Sequence, residues 1–225
     1  MMPLHCVFDI PAHPIQMALG KQELLFKKLL RGDTTNHIIF AEHRPVYTYD
    51  HGKVRNNDFR GLIRGAPDIT LPAPLIPVSR GGGITYHGPG QLVCYFVFTV
   101  KKIDGGVLGM NELIEKSIKK LLARYGLFGA PKPRELPEEA NGVWVSDTGG
   151  TSRKIASRGL SVRNGITRFG CALNVTTDLA GFAPIFPCGL DIHMTSIAKE
   201  TGLILDMRDT AHALSSIVTE QFGGY

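Results

Sequence analysis

Apolar residues recur along this chain in two spacings, helical in some stretches and alternating or continuous in others, and their order lays out most of the elements. Over residues 13–30, Ile15, Ala18, Leu19, Leu25, Phe26, Leu29 and Leu30 keep helical intervals, with Lys21, Glu23, Lys27 and Lys28 between them. That predicts an amphipathic helix ended by Gly32 and Asp33. Residues 37–41 form a short β-branched run, and Pro45 should stop the strand. Residues 50–74 are rich in Gly, Asn, Asp and Pro without periodicity, which predicts a long irregular loop. Strands are expected at 75–79 and 92–100, the second nearly continuous in apolar residues from Tyr95 and so buried on both faces. Leu113, Ile114, Ile118, Leu121 and Leu122 place a helix over 110–125 that stops at Gly126. A charged, Pro-rich stretch at 130–140 reads as an exposed loop, and 142–146 as a strand with Trp144 in the core. A second glycine-containing loop covers 147–152. Residues 153–162 alternate as a strand, Arg163-Asn164-Gly165 marks a hairpin turn, and 166–175 returns. Thr195-Ser196-Ile197 reads as a helix cap and 210–222 as a closing helix. Strands joined by hairpins and interleaved with helices give an α+β arrangement whose topology the periodicity leaves open.

A chain of 225 residues suits one sizeable domain, residues 1–225, with a proper core. No run has the length of a membrane span, and the N-terminus lacks the basic and apolar segments of a secretion signal. The expected location is therefore cytoplasmic. Cys6, Cys94, Cys171 and Cys188 are scattered without a C-x-x-C pair, so neither a metal site nor a disulfide framework is indicated. The formal charge of +5 comes from basic residues spread along the chain, without interleaved aromatic platforms. That fits an acidic protein partner better than nucleic acid.

The densest chemistry lies in Arg80-Gly81-Gly82-Gly83-Ile84-Thr85-Tyr86-His87-Gly88-Pro89-Gly90-Gln91. Three successive glycines permit positive φ or let a ligand lie against the backbone, and a guanidinium, a hydroxyl, an imidazole and an amide follow within a dozen positions. Three further stretches stand out: Glu42-His43-Arg44-Pro45-Val46-Tyr47-Thr48, Lys154-Ile155-Ala156-Ser157-Arg158-Gly159, and Pro187-Cys188-Gly189-Leu190. Taken alone, His43 reads as a surface or packing histidine, Lys154 as a solvated edge charge, and an isolated cysteine as structural.

Together these four segments resemble the signature of lipoate biosynthesis octanoyltransferases, the octanoyl-acyl-carrier-protein:protein N-octanoyltransferases, relatives of the lipoate- and biotin-protein ligases. The resemblance implies an α+β domain with a mixed, largely antiparallel β-sheet flanked by helices, as in the biotin ligases. It implies that Cys188 is the acyl-accepting nucleophile and Lys154 its catalytic partner. Substrate binding falls to Arg80, Gly81, Gly82, Gly83, Ile84, Thr85, Tyr86, His87, Ser157, Arg158, Gly159, Gly170, Cys171, Ala172 and His43. The donor it implies is octanoyl-acyl carrier protein. The acceptors are lipoyl domains of 2-oxoacid dehydrogenase E2 subunits and the glycine cleavage H protein, with no membrane and no nucleic acid involved. Moving an acyl chain from a thioester to an amine runs downhill, so no ATP and no cofactor is needed. A thiolate attacks thioesters well and leaves a thioester that an amine can open. A nearby Lys154 would stabilise the thiolate or take its proton. His87 could position the thioester or act as a base.

The chain departs from the family pattern at three places: Tyr49-Asp50 stands for a Leu-Gly pair at the expected pocket mouth, Phe96 for proline, and Phe169 for the histidine that usually precedes Gly170. If that histidine contacts the reacting carbonyl in relatives, its work here is lost or moved to His87 or His43. Two rival readings remain: an ATP-dependent lipoate-protein ligase, and a silent binder of carrier protein or lipoyl domains.

Overall fold

The computed structural model describes residues 3–54, 58–65, 70–137, 140–146 and 149–222, with Cys188 described by its backbone only. The chain starts with a strand the sequence pattern does not announce, β1 (Leu4–His13), only partly buried along its length. Helix α1 (Ile15–Leu30) follows Pro14 and carries the chain over to β2 (Asn36–His43), which pairs with β1 in parallel from Leu4↔Asn36 to Asp9↔Ala41. The break at Arg44 and Pro45 is where expected, and β3 (Val46–Asp50) leaves for a different sheet.

Next come β4 (Leu75–Val78), β5 (Thr85–His87) and β6 (Gln91–Val97). The end of the glycine-rich segment is thus itself a strand, where the sequence reading has only a connection. The strand after it stops at Val97, short of the expected Val100, and a 3-10 turn takes over at Val100–Lys102. Helix α2 (Gly106–Arg124) starts one turn earlier than the apolar spacing indicates. The two-residue strand β7 (Gly129–Ala130) precedes β8 (Gly142–Ser146), and β9 (Ser152–Arg163) with β10 (Ile166–Asn174) forms the expected hairpin. Its turn residues Asn164 and Gly165 have φ of 52° and 73°, the left-handed pair of a type I′ turn. Ser196 caps the short helix α3 (Ile197–Thr201) by accepting the Lys199 N–H, and α4 (Met207–Phe222) closes the chain.

The strands make a seven-stranded sheet, β1-β2-β6-β10-β9-β8-β7, in which β1 and β2 run parallel and the other pairs antiparallel. A three-stranded sheet, β4-β3-β5, lies apart. The α+β expectation holds. β6 is buried along its whole length because both its faces are covered. Leu92, Cys94 and Phe96 meet α2 and α4 through residues such as Met110, Leu121, Leu214 and Phe222. Val93, Tyr95 and Val97 point the other way, against Ala18, Leu25, Phe26 and Leu29 of α1. A third cluster, Tyr47, Ile84, Tyr86, Phe182 and Ile185, packs under the small sheet. No helix among the described residues is long and apolar enough to cross a membrane.

Candidate active site

A cleft of about 540 Å³, open mouth included, separates the small sheet from the large one. Its walls come from β5 and the glycine-rich loop on one side, and from β6, β9, β10 and Ile15 on the other. Glycine is required where the two walls touch. A Cβ on Gly159 would lie 2.9 Å from the Gly81 carbonyl oxygen, and a Cβ on Gly81 3.3 Å from that of Leu160. The loop and β9 therefore meet backbone to backbone. On the same wall Gly82 has φ +95°, which a side chain would strain.

Alternation along β5 sorts the motif residues into two sets. Thr85 and His87 line the cleft together with Arg80, Gly81 and Gly82. Ile84 and Tyr86 turn away into the cluster beneath the small sheet, and Gly83 does not line the cleft. Gly88 and Gly181 make room for the Tyr86 side chain, since a Cβ would sit 2.1 Å from its hydroxyl oxygen at Gly88 and 2.3 Å from its ring at Gly181. From the opposite wall, Ser157, Arg158 and Gly159 on β9 and Gly170, Cys171 and Ala172 on β10 line the cleft, paired across the ladder as Ala172↔Ser157, Cys171↔Arg158 and Gly170↔Gly159.

A polar relay is built behind this lining. Arg80 donates through Nη2 to the Thr48 carbonyl oxygen and Oγ1, both at 2.9 Å. Gln91 Oε1 can only accept, so the neutral His87 ring carries its proton on Nδ1 and donates to it at 2.6 Å, which leaves Nε2 to accept from the Thr48 hydroxyl at 3.2 Å. The Gln91 amide donates to the Tyr86 carbonyl and to Asn174 Oδ1, and Asn174 donates to the Thr195 carbonyl at 2.9 Å. Burial, with Arg80 and His43 nearby, pulls His87 down to about 3, so the imidazole is neutral near pH 7. His43 is buried behind the wall, with its Nε2 2.7 Å from the Tyr95 hydroxyl and its ring edge-on to that of His87 at 6.0 Å. Burial pulls His43 down to about 4.

Phe169 occupies the departure position and forms part of the cleft wall, in the left-handed region at φ 61°. Its N–H donates to Oε1 of the fully buried Gln22 at 2.6 Å, which offsets part of the strain of a bulky residue there. An aromatic ring thus stands in the wall where the resemblance leads one to expect an imidazole, and among the described residues His87 is the histidine that lines the cleft.

Lys154 is not the exposed edge charge its neighbours in sequence suggest. It is 0% exposed, and a β-bulge between Val143 and Trp144 makes Ile155 the extra residue opposite β8 and re-aims the strand. The ammonium stands 5.6 Å from the Trp144 ring, and glycine at 142 clears its stem, since a Cβ there would fall 2.7 Å from Lys154 Cε. The Lys154 N–H donates to the His193 carbonyl and its carbonyl accepts from Thr195, so the chain after the Pro-Cys-Gly segment pairs directly with this strand. Cys188 itself sits in a 3-10 turn, Pro187–Gly189, closed by Gly189 N–H on the Phe186 carbonyl with Gly189 at φ +75°. Its thiol lies outside the described residues. Cys94 and Cys171 are buried cross-strand partners, and Cys6 is partly buried. Burial raises the Cys94 and Cys6 thiols, which keeps them protonated and inert.

Sequence reasoning missed Val78, Val93, Tyr95 and Ile15 as cleft lining. For Val93 and Tyr95 a signal existed, because they share one face of a strand whose partners carry the small residues Gly170 and Ala172.

Two sheets with helices laid over the larger one are the architecture of the lipoate- and biotin-protein ligases. A bi-partite lipoate protein ligase from Thermoplasma acidophilum, solved with its E2 lipoyl domain, superposes with TM-score 0.68 at 17% identity, over 99% of this chain and 84% of that one. Lipoate-protein ligase A bound with ATP gives 0.67 at 17%, over 99% and 95%. Biotin protein ligase from Aquifex aeolicus with biotin and ATP gives 0.53 at 12%, over 99% and 71%. Sequence narrows the class. The lipoyl protein ligase A/B catalytic domain family matches residues 14–219. The octanoyltransferase of Bacteroides fragilis (strain YCH46) is 37% identical over 181 residues, 80% of this chain and 78% of that one. That of Dictyoglomus thermophilum is 39% identical over 188 residues, 83% and 73%, and that of Cellvibrio japonicus 36% over 214 residues, 93% and 90%. The chain belongs to the lipoyl protein ligase A/B catalytic domain family, on its acyltransferase side.

Proposed function

We propose that the protein transfers an octanoyl group from octanoyl-acyl carrier protein to a lysine of lipoyl domains through a thioester on Cys188, the first step of endogenous protein lipoylation in the cytoplasm. The observation that carries this reading is the wholly buried Lys154, whose strand pairs with the chain running on from the Pro187–Gly189 turn. A buried amine is costly to hold and suits proton transfer better than surface charge. The octanoyltransferase relatives support the acyl group, and the ligase solved with its E2 lipoyl domain supports the acceptor class. The glycine cleavage H protein is proposed as a further acceptor.

In the first half-reaction the Cys188 thiolate, its proton taken up by Lys154, attacks the carbonyl of the donor thioester. The new carbon–sulfur bond forms, the carrier's thiol leaves, and Lys154 returns the proton to it. In the second, the acceptor lysine attacks the acyl-enzyme, Lys154 takes its proton, the amide forms, and Cys188 departs as the thiolate. Arg80 and the glycine backbone hold the carbonyl end of the substrate, while Val78, Val93, Tyr95 and Phe169 receive the alkyl chain. Each buried methylene contributes about 0.8 kcal/mol, so such a slot selects chain length by a few kcal/mol at most.

The test is to incubate the protein with octanoyl-acyl carrier protein and a lipoyl domain without ATP, and to follow intact mass. The reading expects an octanoyl adduct on Cys188, octanoylated acceptor, no turnover by Cys188→Ser, and about a 10²–10⁴-fold loss in Lys154→Arg. Product that requires ATP and Mg²⁺ would establish a ligase instead.

A further inference from the structure

The segment that carries Cys188 is gripped from an unexpected side. Residues 58–65 belong to the stretch that the sequence presents as irregular loop, yet they pair with the chain just before the Pro187–Gly189 turn. Phe186 N–H donates to the Leu62 carbonyl at 2.8 Å, Ile63 and Ile185 form an antiparallel bridge, and Arg64 N–H donates to the Pro184 carbonyl at 2.8 Å. The Arg64 side chain then takes hold on both sides of the turn. Upstream, Nε donates to the Ile185 carbonyl at 3.0 Å and the guanidinium lies 4.0 Å over the Phe186 ring. Downstream, Nη2 donates to Asp191 Oδ1 at 2.5 Å. Leu62 completes the grip, its Cδ2 lying 3.4 Å from where a Cβ on Gly189 would be.

Three physical points separate this arrangement from ordinary surface packing. The planar guanidinium meets a carbonyl, a ring face and a carboxylate at once, a set of contacts that fixes geometry and that a lysine could not reproduce. The ion pair itself is open to water, with side-chain exposure of 37% and 77%, so it adds little to global stability. Finally, Arg64 shares with Pro187, His193 and Met194 the lining of a second cavity of about 690 Å³, open mouth included, and Met194 is the residue that bridges to Lys154. One side chain thus ties the loop, the turn and the approach to the Lys154 strand.

We infer that Arg64 is a positioning residue for acyl transfer, setting where the Pro187–Gly189 turn, and with it Cys188, stands relative to Lys154. The inference rests on the acyl-enzyme reading above. Loss of Arg64 would leave the fold in place while the turn drifts, and an ångström of misplacement costs up to about a hundredfold in rate.

The experiment measures three things on the full chain and its variants Arg64→Ala, Arg64→Lys and Asp191→Asn: the rate of octanoyl adduct formation on Cys188 from octanoyl-acyl carrier protein, the pH profile of iodoacetamide alkylation at Cys188 read by peptide mass, and the Tm. Arg64→Ala is expected to slow acylation by roughly ten- to a hundredfold at nearly unchanged donor KM and Tm, and to move the alkylation profile toward that of a free cysteine. Arg64→Lys should recover only part of the rate, and Asp191→Asn should fall between Arg64→Ala and the parent chain. An Arg64→Ala variant with the parent's acylation rate and alkylation profile overturns the inference. So does a rate loss that merely follows a fallen Tm while the alkylation profile stays put. If Arg64→Ala fails to fold, Arg64→Lys and Asp191→Asn decide by the same readouts. Absence of any adduct on Cys188 in the parent chain is a different result, because it removes the acyl-enzyme itself.

Discussion

His87 and His43 show how far a residue's role depends on where folding puts it. Both are buried and neutral in the native protein, whereas in the unfolded chain each would titrate near its ordinary value of 6.5. As pH falls below that value the unfolded chain takes up protons that the folded one refuses, so stability drops until the native values of about 3 and about 4 are reached. Each group contributes a slope of up to about 1.4 kcal/mol per pH unit in that window. Replacing His87 by Gln should remove roughly its share of the slope between pH 4.5 and 6.5, as read by urea unfolding across that range. An unchanged slope would mean the imidazole already ionises in the native state. The motif made His87 conspicuous in the sequence. Its ring tautomer was not legible there, because that depends on Thr48 and Gln91 meeting it from two sides. Nor could a reading of Arg80-Gly81-Gly82 onward know that the pleat turns Ile84 and Tyr86 into a small core while Thr85 and His87 face the cleft. Arg64 was invisible for a related reason: its partners lie more than a hundred residues away in sequence.

Among the elements, β6 and the β9–β10 hairpin could be read from the chain because apolar runs and an Asn-Gly turn are local signals. β1 could not, since a half-buried edge strand needs its neighbour to define it. The bulge in β9 escaped for the same reason, and with it the burial of Lys154, as alternation alone predicts an exposed edge there. The bulge works only because position 142 lacks a side chain. A methyl group there would sit 2.1 Å from the Ala156 carbonyl oxygen and 2.7 Å from Lys154 Cε, on a backbone with φ +144°. Gly142→Ala is therefore expected to cost about 2–4 kcal/mol of stability and to depress transfer at temperatures where the variant is still folded. Thermal unfolding together with single-turnover rates checks this. A variant that is both stable and fully active would show that the amine needs no such clearance.

For the whole molecule, the surplus of positive charge predicts how it would meet the donor proposed above. With a formal charge of +5, encounter with an acidic carrier protein should weaken as salt is raised, if that is the donor. Going from about 50 to about 300 mM salt should raise the KM for octanoyl-acyl carrier protein several-fold and leave kcat nearly constant. A KM indifferent to salt would assign the charge to some other purpose. Fold class and family were legible from short motifs, but the joining of two sheets was not, because the cleft is assembled from segments that share no local pattern.

The chain of donors and acceptors from Arg80 through Thr48, His87, Gln91 and Asn174 ends on the carbonyl of Thr195, whose own N–H holds the carbonyl of Lys154. Under the proposed function, the slot for the alkyl chain and the strand that carries Lys154 share one hydrogen-bonded chain. A change at Gln91 or Asn174 made to reshape the slot is then expected to shift that strand as well, which recommends varying the two regions together.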